Sequence, residues 1–219
     1  DAYGNGTSES FLGETIGKRR HQVVIATKFG WGSPSGTSRR TIMRTVAQSL
    51  KRLRTDYIDL YQTHFPDPNT PIEETLRALD ELVKAGKVRQ IGCSNFSAAQ
   101  VTAALETSKR LNIAAYVTCQ DEYSLLVRGL EKKLAPVMRE HGMTLLPYAP
   151  LAGGFLSGKY LRDKPLPKNA RLAYSSHHAT DVINNRNWEL ADRLQKSAAS
   201  RNRSMLDIAF GWLLARPFT

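Results

Sequence analysis

The chain has 219 residues, of which 41% are hydrophobic and 23% are charged, and this composition excludes a disordered chain. Its formal net charge of +11 allows acidic or phosphorylated partners, but charge alone does not choose among them. No apolar run reaches the roughly 20 residues that cross a bilayer, and no basic stretch followed by an apolar core indicates a signal peptide. We therefore expect no association with a membrane.

The two cysteines give no sign of a metal site or a disulfide framework. Cys93 and Cys119 lack the CxxC or CxxH spacing of zinc ligands, and they are too few for a disulfide-stabilised domain. The sequence therefore predicts no metal and a reducing, cytoplasmic setting.

Short β-branched apolar runs alternate with stretches of helical period, which is typical of βα units around a parallel sheet. The runs recur about every 25 to 35 residues, as βαβ units require. The five predicted strands are Gln22–Lys28, Tyr57–His64, Val88–Asn95, Tyr116–Gln120 and Thr144–Ala149.

The helices between these strands are indicated by caps and apolar stripes. Ser38 is placed to cap the first, Thr70–Glu73 predicts a capping box with proline at the first helical position of the second, and Gly86 suits its end. Ser97 and Gln100 predict the start of a third. The predicted stripes are Ile42, Val46, Leu50 and Leu53, then Leu76, Leu79 and Val83, then Leu130, Leu134, Val137 and Met138 before Gly142. Two more helices are predicted from about Asn187 and Ser204.

The segment from Leu151 to about Arg186 interrupts this regularity. Glycine, proline, lysine and asparagine cluster there without a clear period. A connection of this length in a compact domain is usually a functional loop or a lid, and a disordered insertion is the alternative.

Each predicted strand has, at its end or one residue before it, a side chain that can form hydrogen bonds. Taken singly, a lysine, a histidine or an amide at a strand end is more often a structural residue. Together they indicate a site, because the loops after parallel strands converge at the mouth of a barrel. A doubly wound sheet would also bind ligands at this edge, but no GxGxxG motif follows a strand, which favours the barrel. The strand-end residues are Lys28, His64, Ser94, Asn95, Gln120 and Tyr148.

At these positions the chain resembles the aldo-keto reductases, which are (β/α)8 TIM barrels that use NADPH. The resembling segments are DAYGNGTSESFLG, VVIATKFG, TDYIDLYQTHFPDPNTPIEETLRALDELVKAGKVRQIGCSN and YAPLAGGFLSGKY. The last of them is most similar to the branch that contains bacterial oxidoreductases and potassium-channel β subunits. The resemblance implies an α/β fold with one barrel domain over residues 1–219, incomplete at both ends.

The resemblance also implies roles for individual residues. Tyr3 matches the general acid, Lys28 the cation that eases the loss of its proton, and His64 the imidazole that polarises the substrate carbonyl. Residues that match cofactor-binding positions are Ser94, Asn95 and Gln120 for the nicotinamide carboxamide, Tyr148 for the nicotinamide ring, and Pro150, Leu151, Gly153 and Lys159 within the pyrophosphate loop. Trp31 and Phe65 could line a substrate pocket or belong to ordinary packing.

These roles predict an NADPH-dependent oxidoreductase that reduces aldehydes or ketones with a tyrosine general acid. The preference for NADPH over NADH comes from the resemblance alone. The alternative is an NADPH-binding regulatory or redox-sensing subunit with little turnover. The basic runs Lys18–Arg20 and Lys51–Arg54 could suggest a nucleic-acid surface, but such runs are usually solvated faces and we expect no nucleic-acid partner.

A closed barrel of this class needs about eight strands, and the sequence predicts five. We expect two strands before Asp1 and one after Thr219, so that the 219 residues alone are inactive. The aspartate of the family pattern D-x-x-x-x-Y would likewise precede Asp1 and is not assigned to it.

Overall fold

The structure is a computed structural model that describes residues 3–31, 35–174 and 176–219, with the side chains of 176–178 left undescribed. Its strands are β1 (Ala26–Phe29), β2 (Ile58–Thr63), β3 (Val88–Ser94), β4 (Tyr116–Glu122) and β5 (Thr144–Tyr148). Its helices are α1 (Thr7–Ile16), α2 (Arg39–Leu53), α3 (Ile72–Lys84), α4 (Ala98–Leu111), α5 (Leu134–Glu140), α6 (Arg171–Tyr174), α7 (Ser176–Val182), α8 (Asn185–Ala199) and α9 (Met205–Leu214). Short 3-10 turns lie at Tyr3–Gly6, Gly17–Gln22, Gly129–Lys132 and Ala152–Ser157.

The five strands form one sheet in chain order, and β1 to β4 pair in parallel. At least one helix follows each strand before the next begins. This is the alternation of a (β/α)8 TIM barrel, of which the described residues contain five strands, and it confirms the predicted fold class.

The strand register separates the helix-facing side chains from those of the opposite face. Tyr61 in β2 faces the helices, because its Oη lies 3.0 Å from Oγ1 of Thr45 in α2. Side chains alternate along a strand, so Gln62 is on the other face. Successive register partners in β1 to β4 therefore form one row on that face. They are Lys28, Gln62, Gly92 and Thr118.

The predicted strand boundaries agree with the structure within a few residues, except at the start of β1. That strand begins at Ala26 rather than Gln22, because Gln22 ends a 3-10 turn. The Val23 carbonyl accepts a hydrogen bond from Arg20 (3.0 Å), and Val24 is 82% exposed. The apolar character of this stretch therefore extends beyond the strand.

Two of the predicted helix starts have the expected caps. The Ser38 side chain accepts a hydrogen bond from the Thr41 backbone at the start of α2. Ser97 and Gln100 form the predicted capping box of α4. Each cap satisfies a backbone N–H group that the first helical turn leaves unpaired.

The capping box predicted at Thr70–Glu73 is wrong. The Thr70 hydroxyl donates to the Asp67 carboxylate (2.7 Å), and α3 begins at Ile72 without a side-chain cap. The buried stripe of α3 also differs by one residue, since Leu82 is buried and Val83 only half-buried.

The segment after β5 has more structure than a long loop. It contains a 3-10 turn and the short helices α6 and α7, and its apolar residues pack with residues of α8 and α9 into one cluster. Irregular spacing hides this cluster from periodicity arguments. Its buried members are Ala152, Phe155, Tyr160, Ala170, Leu172, Ala191 and Met205.

The chain divides into two compact units. One contains residues 1–120 and 133–145, and the other contains residues 121–132 and 146–219. Among the helices of the described ranges, none combines the length and apolar character that crossing a membrane requires.

A close contact between α1 and α2 gives the first testable prediction. A Cβ at Gly13 would overlap the Arg52 carbonyl oxygen and lie 2.7 Å from the carbonyl carbon of Leu53. We expect Gly13→Ala to lower the free energy of unfolding by about 1–3 kcal/mol, because backbone atoms must move apart. Urea unfolding measures this loss.

Gly211 in α9 provides the matched control. A Cβ there meets no heavy atom of the described residues within 4 Å, so Gly211→Ala should stabilise its helix by about 0.5–1 kcal/mol. Equal effects of the two substitutions would contradict the role given to the contact between α1 and α2.

Candidate active site

A lysine and a tyrosine meet beside β1. The Lys28 ammonium donates to the Tyr3 hydroxyl over 3.3 Å. Tyr3 begins a tight turn in which Gly4 and Gly6 have positive φ. Tyr3 is 56% exposed, so a large part of this residue is open to solvent.

A buried carboxylate anchors the helix that follows Tyr3. Glu9 in α1 accepts a hydrogen bond from Thr27 in β1 and another from Arg52 in α2, each over 2.6 Å. Burial raises the pKa of Glu9, but its hydrogen bonds and nearby positive charge together lower it by more, so the carboxylate is ionised at neutral pH. Glu9 thereby holds α1 against the strand that contains Lys28.

His64 is buried and directly follows β2. Burial first, and the nearby charge of Lys28 second, lower the pKa of His64 to about 4, so the imidazole is neutral at physiological pH. Its Nδ1 is buried and has no hydrogen-bond partner among the residues that the structure describes. A buried nitrogen in that state is uncommon and calls for an explanation.

Aromatic rings surround this imidazole. Phe65 stacks parallel to His64 at 5.0 Å, Trp31 meets it edge-on at 4.8 Å, and the Tyr3 ring lies 6.1 Å away. Trp31 and Phe65 also contact each other, and both keep exposed surface. The structure therefore brings both predicted pocket residues to the histidine.

Hydrogen bonds tie together the ends of β2, β3 and β4. The Asn95 side-chain amide donates to the His64 carbonyl and to the Ser94 hydroxyl, each over 3.0 Å. The Asn95 backbone N–H donates to the Gln120 carbonyl over 3.1 Å. Asn95 adopts a left-handed conformation (φ 62°), which asparagine tolerates better than most residues.

Gln62 contacts the predicted cofactor residue Gln120 and was not predicted from the sequence. It is 2% exposed, and its side-chain amide donates to Oε1 of Gln120 over 3.3 Å. Its position two residues before His64, which directly follows the same strand, could have indicated it, because residues i and i+2 of an extended chain share a face.

The other predicted cofactor residues lie in the second unit, where most of them line a cavity of about 290 Å³. Both a carboxylate and cations contribute to its wall. The lining residues are Glu122, Ala149, Pro150, Leu151, Ala152, Gly153, Gly154, Lys159, Arg171 and Val182. Arg171 was not predicted, because the irregular segment that contains it gives no periodic signal.

A buried tyrosine fixes the glycine loop of this cavity. The Tyr160 hydroxyl donates to the Gly153 carbonyl (3.2 Å) and accepts from the Leu172 backbone N–H (3.3 Å). Gly153 and Gly154 have φ of 66° and 91°. The loop thus has a defined conformation that favours glycine.

Tyr148 ends β5 and is not among the residues that line the cavity. Partial burial first, and the charges of Asp121 and Glu122 second, raise its pKa. The Tyr148 hydroxyl therefore stays protonated at neutral pH, and the side chain is an uncharged aromatic ring.

These features define a (β/α)8 barrel protein with a lysine–tyrosine pair and a neutral histidine beside the carboxyl ends of its strands. The chain belongs to the aldo/keto reductase family, whose model matches residues 1–219.

Three relatives show what the chain is similar to. It is 37% identical to a probable voltage-gated potassium channel subunit beta of Arabidopsis thaliana, over 81% of this chain and 56% of that protein. It is 36% identical to the aldo-keto reductase YhdN of Bacillus subtilis, over 99% of this chain and 66% of that protein. The structure of a glycerol dehydrogenase from Gluconobacter oxydans matches with a TM-score of 0.80 and 31% identity, over 97% of this chain and 66% of that one. The chain thus spans between about half and two thirds of the length of these relatives.

Proposed function

We propose that the protein catalyses the NADPH-dependent reduction of an aldehyde or a ketone to an alcohol. The observation that carries this proposal is the 3.3 Å hydrogen bond from Lys28 to Tyr3, beside a neutral His64. A proton donor, a cation and a neutral imidazole are the groups that a carbonyl oxygen needs as it gains negative charge. The name of the Bacillus subtilis relative supports the same reaction class.

The residues of the second unit fit the pyrophosphate of a nicotinamide dinucleotide. A Cβ at Gly153 would lie 2.6 Å from the Leu172 side chain, and one at Gly154 would lie 3.0 Å from the Lys159 ammonium. A loop without these side chains lets backbone N–H groups approach phosphates closely. Lys159 and Arg171 add positive charge to the same cavity.

For the nicotinamide end, we propose that Ser94, Asn95 and Gln120 hold the carboxamide and that the Tyr148 ring stacks on the pyridine ring. When bound, the cofactor supplies the hydride for the carbonyl carbon. The protein therefore needs to position the substrate and to manage one proton.

In this mechanism the Tyr3 hydroxyl donates the proton to the carbonyl oxygen. The Lys28 ammonium stabilises the negative charge that develops on the phenol oxygen as the proton leaves. His64, which is neutral, adds a hydrogen bond to the substrate oxygen without a net charge. Trp31 and Phe65 exclude water from the reacting carbonyl, which strengthens these interactions.

Turnover of the full-length protein tests the proposal. NADPH binding is titrated by fluorescence, and NADPH oxidation is then followed with aliphatic and aromatic aldehydes and ketones. Binding followed by carbonyl-dependent oxidation is the expected result.

Tight binding without consumption by any carbonyl would instead favour the alternative, a regulatory or redox-sensing subunit. The similarity to a probable channel subunit is the observation that favours this second function.

Gln120 provides a prediction for cofactor binding. We expect Gln120→Ala to weaken NADPH affinity by about three- to tenfold, because one hydrogen bond to the carboxamide is lost. Fluorescence titration measures the change. Gln90→Ala is the control, since Gln90 is exposed near the opposite end of β3, and it should leave the affinity unchanged. An unchanged affinity in Gln120→Ala would remove Gln120 from the cofactor site.

A further inference from the structure

Two polar side chains contact each other across a glycine, next to the proposed nicotinamide residue Gln120. Gln62, Gly92 and Thr118 are register partners in three adjacent strands. The Thr118 hydroxyl donates to Oε1 of Gln62 over 3.3 Å, although β3 lies between their strands.

Gly92 makes this contact possible. A Cβ at position 92 would overlap the Thr118 hydroxyl and lie 3.2 Å from Cγ of Gln62. Any larger residue would therefore separate the two polar side chains. The glycine creates a gap through which the hydrogen bond passes.

The hydrogen bonds form a chain with one direction. Thr118 donates to Oε1 of Gln62, and Nε2 of Gln62 donates to Oε1 of Gln120. With its oxygen engaged in this way, Gln120 has its NH2 group to offer to a ligand.

We infer that Gln62 is a positioning residue that sets the amide orientation of Gln120, so that Gln120 donates to the carbonyl oxygen of the nicotinamide carboxamide. This inference rests on the proposed function, because it takes Gln120 as a nicotinamide ligand. Gln62 does not touch the cofactor in this arrangement, but it determines which end of the Gln120 amide faces the cofactor.

The test compares NADPH with its reduced 3-acetylpyridine analogue, in which a methyl group replaces the NH2 of the carboxamide. Both keep the carbonyl oxygen that accepts from Gln120. In Gln62→Glu at alkaline pH the ionised carboxylate has no proton to donate, so Gln120 turns to donate to it and presents Oε1 to the cofactor. The carboxamide of NADPH can rotate and donate its NH2 to that oxygen, but the acetyl group cannot.

We therefore expect Gln62→Glu to raise the ratio of the two dissociation constants, analogue over NADPH, by about tenfold. Quenching of tryptophan fluorescence in the full-length protein measures both constants. Equal weakening of both cofactors would indicate a merely structural role and overturn the inference.

Thr118→Val is a second variant in case Gln62→Glu does not fold. It removes the donor to Gln62 and should raise the same ratio by a smaller factor, whereas an unchanged ratio would count against the inference. Thr63→Val is the matched control, since the Thr63 hydroxyl faces the helices and lies 2.9 Å from that of Tyr116. It should leave the ratio unchanged.

Gln120→Ala distinguishes a failure of the role inferred for Gln62 from a failure of the proposed nicotinamide site. If it weakens NADPH binding while Gln62→Glu leaves the ratio unchanged, the inference fails and the proposed nicotinamide site stands. If Gln120→Ala leaves NADPH affinity unchanged, both fail.

Discussion

Replacing Tyr3 with phenylalanine is expected to slow carbonyl reduction by about 10²- to 10⁴-fold, because the general acid is lost. NADPH affinity should stay nearly intact, since the Tyr3 hydroxyl is not among the groups proposed to hold the cofactor. The phenyl ring keeps its place near His64, where the ring centroids lie 6.1 Å apart. The substitution therefore removes one proton donor and little else.

The measurement combines steady-state turnover with a fluorescence titration of NADPH on the same preparation. Tyr174→Phe is the matched control, because Tyr174 is 75% exposed and its hydroxyl contacts only the Asn169 side chain among the described residues. We expect it to keep full activity. Turnover by Tyr3→Phe at the rate of the unchanged protein would exclude Tyr3 as the proton donor.

Lys28→Met offers a further check on the same chemistry. If Tyr3 and Lys28 act as a unit, the double variant should lose about as much activity as Tyr3→Phe alone, because effects of cooperating residues are not additive. Additive losses would mean that Lys28 acts independently of the tyrosine.

The polar strand ends could be predicted from sequence because two simple rules meet there. Buried parallel strands are apolar, and their carboxyl ends converge, so a polar residue that ends a strand is informative. Lys28 and His64 were found in this way, and the structure brings both close to Tyr3. Tyr3 itself was assigned only through the family resemblance.

Residues within a strand escape that rule, and Gln62 is the clearest case. A glutamine in an apolar strand is usually read as an edge or surface residue, and here it is buried because Gly92 leaves room and because Thr118 and Gln120 pair with it. The pairing depends on the register of three strands. Register is a property of the folded sheet and cannot be predicted from the sequence of a single strand.

The basic runs are a second case in which contacts between distant parts of the chain could not be predicted from the sequence. The sequence predicts solvated faces at Lys18–Arg20 and Lys51–Arg54, yet Arg20 is largely buried against Asp59 and Arg52 against Glu9. The carboxylates lie between 39 and 43 residues away in the chain. Local charge counting could not pair them.

Asp59 is the centre of the strongest of these charge clusters. It is buried at the start of β2, where one oxygen binds Arg20 (2.7 Å) and the Ile25 backbone N–H (2.9 Å), and the other binds Arg89 (2.8 Å). Both guanidinium groups also lie over the Tyr57 ring, at 3.8 and 4.1 Å from its centroid. The cluster joins β2 to β3 and to the segment before β1.

Asp59→Ala is expected to lower the free energy of unfolding by about 3 kcal/mol, because it leaves the buried Arg20 charge without its carboxylate partner and the Ile25 N–H without its acceptor. Urea unfolding measures the loss. Glu14→Ala is the control, because Glu14 pairs with Arg54 at a site where both side chains are more than half exposed, and such pairs contribute at most about 1 kcal/mol. A loss for Asp59→Ala no larger than that of the control would contradict the buried cluster.

The pH dependence of this loss has a definite sign. Burial raises the pKa of Asp59, but the Ile25 N–H and the two arginines lower it by more, so the pKa in the folded protein lies below its ordinary value. The stabilisation is therefore complete above the ordinary carboxyl pKa and is lost as the pH falls through the lower, folded value. The difference in stability between the unchanged protein and Asp59→Ala should shrink in acid. NADPH affinity should remain unchanged at neutral pH, because Asp59 lies at the amino end of β2, whereas His64 follows its carboxyl end. In a parallel barrel the first position serves stability and the second serves the site.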